Sequence, residues 1–423
     1  MLEIRYIQKN KARVIQALEK RYISNAASLI DQVLAIDQQR RETQAAFDAA
    51  SSQLNQSTKQ ITQLLAKNQQ EAIAAIQSAS RSLKANIKDL AHQLKTHEQA
   101  LQVALYGLPN LPHHEVPVGN EDEDHAIVYQ VKDLPKINGH KLPHWELAAK
   151  YNIIDFEQGH KVAGAGFPVY KGKGARLQRA LINFFLDEAR QAGYEEIQPP
   201  ILVNKASGYG TGQLPDKEGQ MYKLLEDDLY LIPTAEVPIT NLYRQQILGK
   251  KDLPIKNVAY TPCFRREAGS WGSHVRGLNR LHQFDKVELV EIRLPEESYA
   301  ALVAMRSYVE QLLQKLGLPY RVLKLCSGSL GFSAAFTYDL EVFAMAQERW
   351  LEVSSISNFE TYQANRMQLR YQGKDKTQLL HTLNGSALPL PRIVAALLEN
   401  NQTTQGILIP PILIPYTGFA YIA

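Results

Sequence analysis

In the first hundred positions apolar residues return every third or fourth residue. Ile73, Ile87, Leu94 and Leu101 share one heptad series with Ser80 at its missing place, and Ile76, Leu83 and Leu90 lie three residues after positions of that series. An a/d stripe over about four heptads predicts a helix packed along one seam. Upstream, Val33, Phe47, Leu54 and Ile61 hold a second frame that Arg40 interrupts, with Leu29, Ile36, Ala50 and Leu64 as partly apolar companions. Both runs converge on the turn-like stretch Lys67-Asn68-Gln69-Gln70. The pattern therefore predicts two antiparallel helices over ~27–66 and ~71–103. Each is roughly 50–60 Å long at about 1.5 Å per residue and is expected to project into solvent. Residues 1–26 are expected to fold back as a short helix at the base.

Glycine and proline sharpen this division. The first glycine is Gly107 and the first proline Pro109, so all 24 Gly and 20 Pro lie in the rest of the chain. A stretch without either breaker favours long helices. The Pro-, acid- and His-rich segment 108–125 marks a boundary, with a linker over about 108–130. Beyond it the pattern changes period. Strand-like runs at Glu196–Val203, Tyr230–Ile232, Val258–Tyr260, Val287–Ile292 and Trp350–Ile356 alternate with amphipathic stretches at Arg176–Ala192, Glu236–Leu248, Glu297–Leu316 and Pro391–Asn400. This predicts an α+β fold with a mainly antiparallel sheet flanked by helices. The expected domains are a helical arm over residues 1–107 and a catalytic domain over 108–423. No GxxxxGK[ST] or GxGxxG follows a strand, which disfavours a P-loop or Rossmann nucleotide site.

Net charge is only +4, so the distribution of charge matters more than its sum. Over residues 49–88 the distal hairpin carries Lys59, Lys67, Arg81, Lys84 and Lys88 against the single acid Glu71. A basic tip on a stiff arm suits a phosphate backbone; on charge alone a solvated coiled-coil face or a protein-docking arm is the better fit. The two cysteines, Cys263 and Cys326, lack a CxxC or Cys/His spacing. A disulfide framework and a zinc site are not expected, and a reducing compartment is. No apolar run has the length of a membrane span or the form of a signal peptide. The adjacent His113 and His114 are poorly spaced as metal ligands.

The most informative run is TPCFRREAGSWGSHVRGLNRLHQFDKVELV, residues 261–290. Its ends have strand character and its middle holds Gly269, Gly272 and Gly277, which predicts two strands joined by a mobile loop. Period-two alternation would place Arg265 and Glu267 on one face. The return strand offers Phe284 and Glu288.

The FRxEAGS…RGLxRxHQFxKVE form resembles motif 2 of the class II aminoacyl-tRNA synthetases, and of the seryl-tRNA synthetases in particular. The resemblance extends over essentially the whole chain. GARLQRALINFFLDEARQAGYEEIQPPILV (174–203) is similar to motif 1, and YGTGQLP (209–215) and IPTAEVPITNLYR (232–244) to the serine-site loops. LEVSSISNFETYQANRMQLRY (351–371) is similar to the ATP/Mg segment and LNGSALPLPRIVAALLENNQ (383–402) to motif 3. What this implies is ATP-dependent activation of L-serine to seryl-adenylate, then transfer to the 3′-terminal adenosine of tRNA(Ser), with the selenocysteine tRNA as a further candidate. It also implies an active role for Arg265 and Arg392, the first on the α-phosphate and serine carboxylate and the second on the γ-phosphate. Thr234, Ala235, Glu236, Arg265, Glu288 and Ser386 would bind serine. Arg265, Arg266, Glu267, Phe284, Glu352, Val353, Ser354, Ser355 and Arg392 would bind ATP, with Glu352 and Ser355 on Mg²⁺. Thr234 fits equally well as the cap of a following helix. His274 and His282 are expected to be loop and packing residues. A cytoplasmic homodimer is expected, the apolar Leu177, Leu181, Phe184 and Phe185 exceeding what one face of a surface helix needs. Three departures from the family pattern stand out: Gly328-Ser329 in place of Gly-Asp, Phe336 and Phe343 where a basic residue and a Trp are usual, and the stiff Pro389/Pro391 pair.

Overall fold

The computed structural model describes residues 1–67, 69–134, 141–267 and 276–423. Asn68 of the expected turn, and Gly269, Gly272 and His274 of the expected loop, lie outside them. The described chain divides into two compact units, Leu2–Glu19 with Ile23–Leu108, and Met1 with Lys20–Tyr22 and Pro109–Ala423.

The first unit is built on two long helices, α3 (Ala26–Leu65) and α4 (Gln70–Tyr106), packed as a hairpin. The heptad stripe is its seam. Ile73, Ser80 and Leu101 are buried, while Ile76, Leu83, Ile87, Leu90 and Leu94 are half-buried between exposed neighbours. Ser80 is a polar member of the seam whose hydroxyl finds no partner. Arg40 interrupts the second frame because Asp37 beside it is buried; Asp37 accepts Arg40 Nε at 3.0 Å and Gln8 Nε2 at 2.5 Å. Residues 1–26 form two helices rather than one, α1 (Ile4–Lys9) and α2 (Lys11–Lys20), each with its own buried apolar face.

The second unit is organised by an eight-stranded sheet. Its strands are β1 (Ala126–Gln130), β2 (Glu195–Glu196), β3 (Ile255–Phe264), β4 (Gln283–Arg293), β5 (Tyr320–Lys324), β6 (Phe336–Ala344), β7 (Arg349–Asn358) and β8 (His381–Pro389). They run in the order β1-β5-β6-β7-β8-β4-β3-β2. Every pair is antiparallel except β2 with β3. The helices α5 (His144–Lys150), α6 (Gly172–Gln191), α7 (Glu236–Asn241), α8 (Ser298–Lys315) and α9 (Leu390–Asn400) belong to the same unit. The α+β expectation holds.

Alternation along the central strands separates core from site. Val287 and Leu289 of β4, Leu383 and Ala387 of β8, and Leu351 and Val353 of β7 join the main core with Leu177, Leu181, Phe184 and Phe185 of α6. Phe284, Lys286 and Glu288 of β4, Asn384 and Ser386 of β8, and Glu352 and Ser354 of β7 therefore point the other way. Gly385 breaks strand propensity in β8 because α8 packs tightly there; a Cβ would come 2.7 Å from Met305 Sδ.

Several elements differ from the sequence expectation. Glu196–Val203 is split by Pro199 and Pro200, leaving β2 and a separate short strand at Leu202–Asn204. The Glu236–Leu248 helix stops at Asn241; Gln245 adopts a positive φ of 62°, and Ile247–Leu248 becomes a strand. The strands β1, β5, β6 and β8 were not anticipated, and β1 lies inside the segment expected to be a linker, where it pairs with β5. The four apolar residues of α6 are all buried in the chain's own core, so their surplus is no argument for a partner.

Candidate active site

The site-facing sides of β4, β7 and β8 border a cleft of about 690 Å³. β3 ends at Phe264, so Arg265 and Glu267 follow it rather than share a strand face. Both still line the cleft. The Arg265 guanidinium stands over the Phe284 ring, 5.2 Å from its centroid. Glu267 has a φ of 48° and is ion-paired with Arg280. Arg266 is exposed and does not line the cleft; its N–H donates to the Gln220 carbonyl at 2.8 Å.

Thr234 lines the cleft and its Oγ1 accepts the Glu236 N–H at 3.2 Å, but it stands one residue before the N-cap of α7, which is Ala235. Ala235 is fully buried in a small apolar cluster with Ile239, Ala259 and Val290, so only its backbone could meet a ligand. Glu236 lines the cleft although only 5% exposed. Its two oxygens accept Gln363 Nε2 at 2.6 Å and Asn384 Nδ2 at 3.0 Å. Both donors are neutral amides, and Glu236 forms no salt bridge among the described residues. Burial first, and the nearby Glu288 second, push its carboxyl up to about 7.

Glu288 is buried one layer further in and does not line the cleft. It holds the residues that do: Lys286 Nζ at 2.5 Å, Asn384 Nδ2 at 3.0 Å and Ser386 Oγ at 3.3 Å. Two acids thus share one amide, and Lys286 goes to Glu288. Lys286, Asn384 and Gln363 were missed by sequence reasoning. For the first two a signal existed, since each lies two residues from a named site residue on the same strand face.

A bulge builds the far wall. On β7, Ser354 and Glu352 face consecutive residues Leu340 and Glu341 of β6, which leaves Val353 unpaired. The extra residue resets the alternation. Ser355 and Ser357 therefore join Glu352 and Ser354 along the cleft, while Val353 and Ile356 stay in the core. Ser354 donates to the Ser386 carbonyl at 2.7 Å, and Ser355 to Asp339 Oδ1 at 2.5 Å. Burial, and then the charge of Glu352, hold Asp339 well above the usual carboxylate range. Arg392 is the one residue between Leu390 and Glu399 that is not buried. Its Nη1 donates to the Glu352 carbonyl at 2.7 Å and its Nε to the Asn279 carbonyl at 3.2 Å. Pro391 fixes the first turn of α9 beneath it, a helix end that favours anions.

The other singled-out residues are structural. His282 Nδ1 bonds the Tyr222 hydroxyl at 2.7 Å and its ring stacks on Phe167. His113 packs on Tyr299 and Phe336. Cys263 and Cys326 are free and buried. Ser329 meets Cys326 Sγ at 3.4 Å, Phe336 is core, and Phe343 packs on Trp350. On the hairpin Lys59, Lys67, Arg81, Lys84 and Lys88 are all exposed. No helix among the described residues is long and apolar enough to cross a membrane.

The family model for the tRNA synthetase class II core domain (G, H, P, S and T) matches residues 221–401, and that for the seryl-tRNA synthetase N-terminal domain matches residues 1–112. The serine–tRNA ligase of Salinibacter ruber is 50% identical over 100% of this chain and 99% of its own. The chain belongs to the seryl-tRNA synthetases. The serine–tRNA ligase of Akkermansia muciniphila is 48% identical over 99% of this chain and 98% of its own. The crystal structure of the Pyrococcus horikoshii seryl-tRNA synthetase complexed with ATP superposes with a TM-score of 0.92 at 31% identity, over 100% of this chain and 99% of that one. The activity of this synthetase is that of a serine–tRNA ligase, with serine, ATP and tRNA(Ser) as its substrates. The family expected from residues 261–290 is the one found.

Proposed function

We propose that the cleft forms seryl-adenylate and that the residues named above divide the work. The observation that carries this is Glu236, a buried carboxylate held by two amides and, among the described residues, in no salt bridge. The serine ammonium supplies the missing charge. Asn384 and Ser386, positioned by Glu288, close a small polar floor suited to a hydroxymethyl group, and Thr234 stands beside Glu236. Arg265 turns from Phe284 to the serine carboxylate and the α-phosphate, which a planar guanidinium can bridge. The ring face it leaves is open to adenine, with Glu267 at the edge. Arg392, at the start of α9, takes the γ-phosphate.

The serine carboxylate is already a nucleophile at neutral pH. It attacks the α-phosphorus in line, the bond to the β-phosphate breaks, and pyrophosphate leaves. The terminal ribose hydroxyl of tRNA(Ser) then attacks the adenylate carbonyl and AMP departs. No side-chain base is required; positioning and charge supply the catalysis.

Glu352, Ser355 and Asp339 fit a hard divalent cation such as Mg²⁺. The Ser355 hydroxyl is bonded to Asp339 and the charge of Glu352 reaches the same carboxyl, so the three are hard oxygen donors, and Mg²⁺ takes few protein oxygens. When bound it would neutralise phosphate charge. Among the described residues no group of three or more His, Cys, Asp or Glu stands where it could hold a metal.

The hairpin, with its exposed basic distal half, is proposed to bind tRNA(Ser), and the selenocysteine tRNA where that exists. This makes residues 1–107 the tRNA-binding arm and 108–423 the catalytic domain. The enzyme is further proposed to be a cytoplasmic homodimer. A surface for it is edge strand β1, all of whose residues are exposed, Ile127, Val128 and Tyr129 among them. Serine-dependent exchange of pyrophosphate into ATP, followed by charging of tRNA(Ser), tests the scheme; exchange that alanine or threonine supports as well as serine would overturn the assigned floor.

A further inference from the structure

Behind the cleft wall a second buried carboxylate organises the phosphate end of the site. Glu399, near the end of α9, and His144, at the start of α5, are both fully buried. Glu399 Oε1 accepts the His144 N–H at 3.0 Å, His144 Nδ1 at 2.8 Å and Gln347 Nε2 at 2.8 Å; Oε2 accepts the N–H groups of Ala346 and Gln347, each at 3.2 Å. Facing a carboxylate, Nδ1 is the donor. Nε2 is left as an acceptor, and it receives the Leu278 N–H at 2.8 Å. The chain comes this close because Gly277, at a φ of 71°, has no Cβ; one would lie 2.2 Å from Nε2.

The next residue completes a ring. Asn279 Nδ2 donates to Gln347 Oε1 at 2.9 Å, and the Asn279 carbonyl accepts Nε of Arg392 at 3.2 Å. Arg392 and Glu399 ride on the same helix, seven residues and hence about two turns apart. One end of α9 thus carries the guanidinium. The other carries the carboxylate that, through His144 and Gln347, fixes the carbonyl against which that guanidinium is oriented.

We propose that His144 and Gln347 are positioning residues for Arg392. They hold Leu278 and Asn279 so that the Asn279 carbonyl locks Nε, while the Glu352 carbonyl takes Nη1 and Nη2 is left for the cleft. The assignment rests on Arg392 as the γ-phosphate contact. A misplacement of this kind costs on the order of ten- to a hundredfold.

The test compares ATP with AMP, which lacks the β- and γ-phosphates. Dissociation constants are measured by calorimetry for the full-length enzyme and for H144F, Q347M, H144Q and R392A. H144F and Q347M should weaken ATP binding about tenfold, with kcat for pyrophosphate exchange falling in parallel, and leave AMP binding within about twofold. H144Q, whose amide oxygen can replace Nε2 as acceptor, should recover most of the loss. Q347M, at a half-buried position, carries the test should H144F not fold. Equal weakening of ATP and AMP, or no weakening of either, would overturn the proposal and leave the pair a purely structural brace. R392A is the control: should it fail to separate ATP from AMP, the phosphate role of Arg392 falls and the proposal with it.

Discussion

Replacing Glu236 by glutamine should remove a pH dependence of serine binding. Glu236 is buried, accepts from Gln363 and Asn384, and faces Glu288, Lys286 and Arg265; its carboxyl sits at about 7 rather than 4.5. The serine ammonium binds the ionised form. With a midpoint near 7, that form is about a tenth of the population at pH 6 and about three quarters at pH 7.5, so serine affinity should rise roughly eightfold between them. E236Q, which cannot ionise, should show a flat profile and meet the wild type only at the acid end. The free protein should respond in the opposite sense. Its folded carboxyl holds a proton that the unfolded chain has released, so stability falls as pH rises from about 4.5 to about 7, by about 3 kcal/mol in all. Serine dissociation constants from calorimetry at pH 6, 6.5, 7 and 7.5, with thermal unfolding of the free protein over pH 4.5–7, measure both. A flat wild-type serine profile, or one that E236Q reproduces, would refute the assignment of Glu236 to the ammonium.

Arg265→Ala should lower serine-dependent pyrophosphate exchange by on the order of a hundredfold or more, about 3 kcal/mol in the transition state, with the melting temperature little changed; near-normal exchange would remove Arg265 from the phosphate. Deleting about residues 40–90 should spare exchange and abolish most transfer to tRNA. Charge reversal at Lys59, Lys84 and Lys88 should flatten the salt dependence of tRNA binding by about one unit of slope per lost contact; unchanged aminoacylation after the deletion would return the hairpin to a docking role. Ile127→Lys with Tyr129→Lys on β1 should convert a sedimenting dimer to a monomer, and a wild type that is already monomeric at micromolar concentration would dismiss the dimer.

The hairpin was legible because its information is local. A heptad repeat without Gly or Pro has one good solution, and even its exceptions at Ser80 and Arg40 mark real positions in the seam. That Arg265, Glu267, Phe284, Ser386 and Arg392 line one cleft was legible because each belongs to a contiguous motif. What lay beyond the sequence arises between segments. The strand β8, with Asn384, Gly385 and Pro389, contradicts strand propensity and exists because β4 and β7 flank it and α8 needs the space at Gly385. The parity of β7 is reset by a bulge, so alternation alone would have turned Ser355 away from the cleft. The two amides on Glu236, from Gln363 and Asn384, and the ring from Glu399 through His144 to Arg392 each join residues far apart in the chain. Periodicity and motif determine which side chains share a face. Only packing determines which of them lose water together, and desolvation is what separates the charged partner from the spare acid.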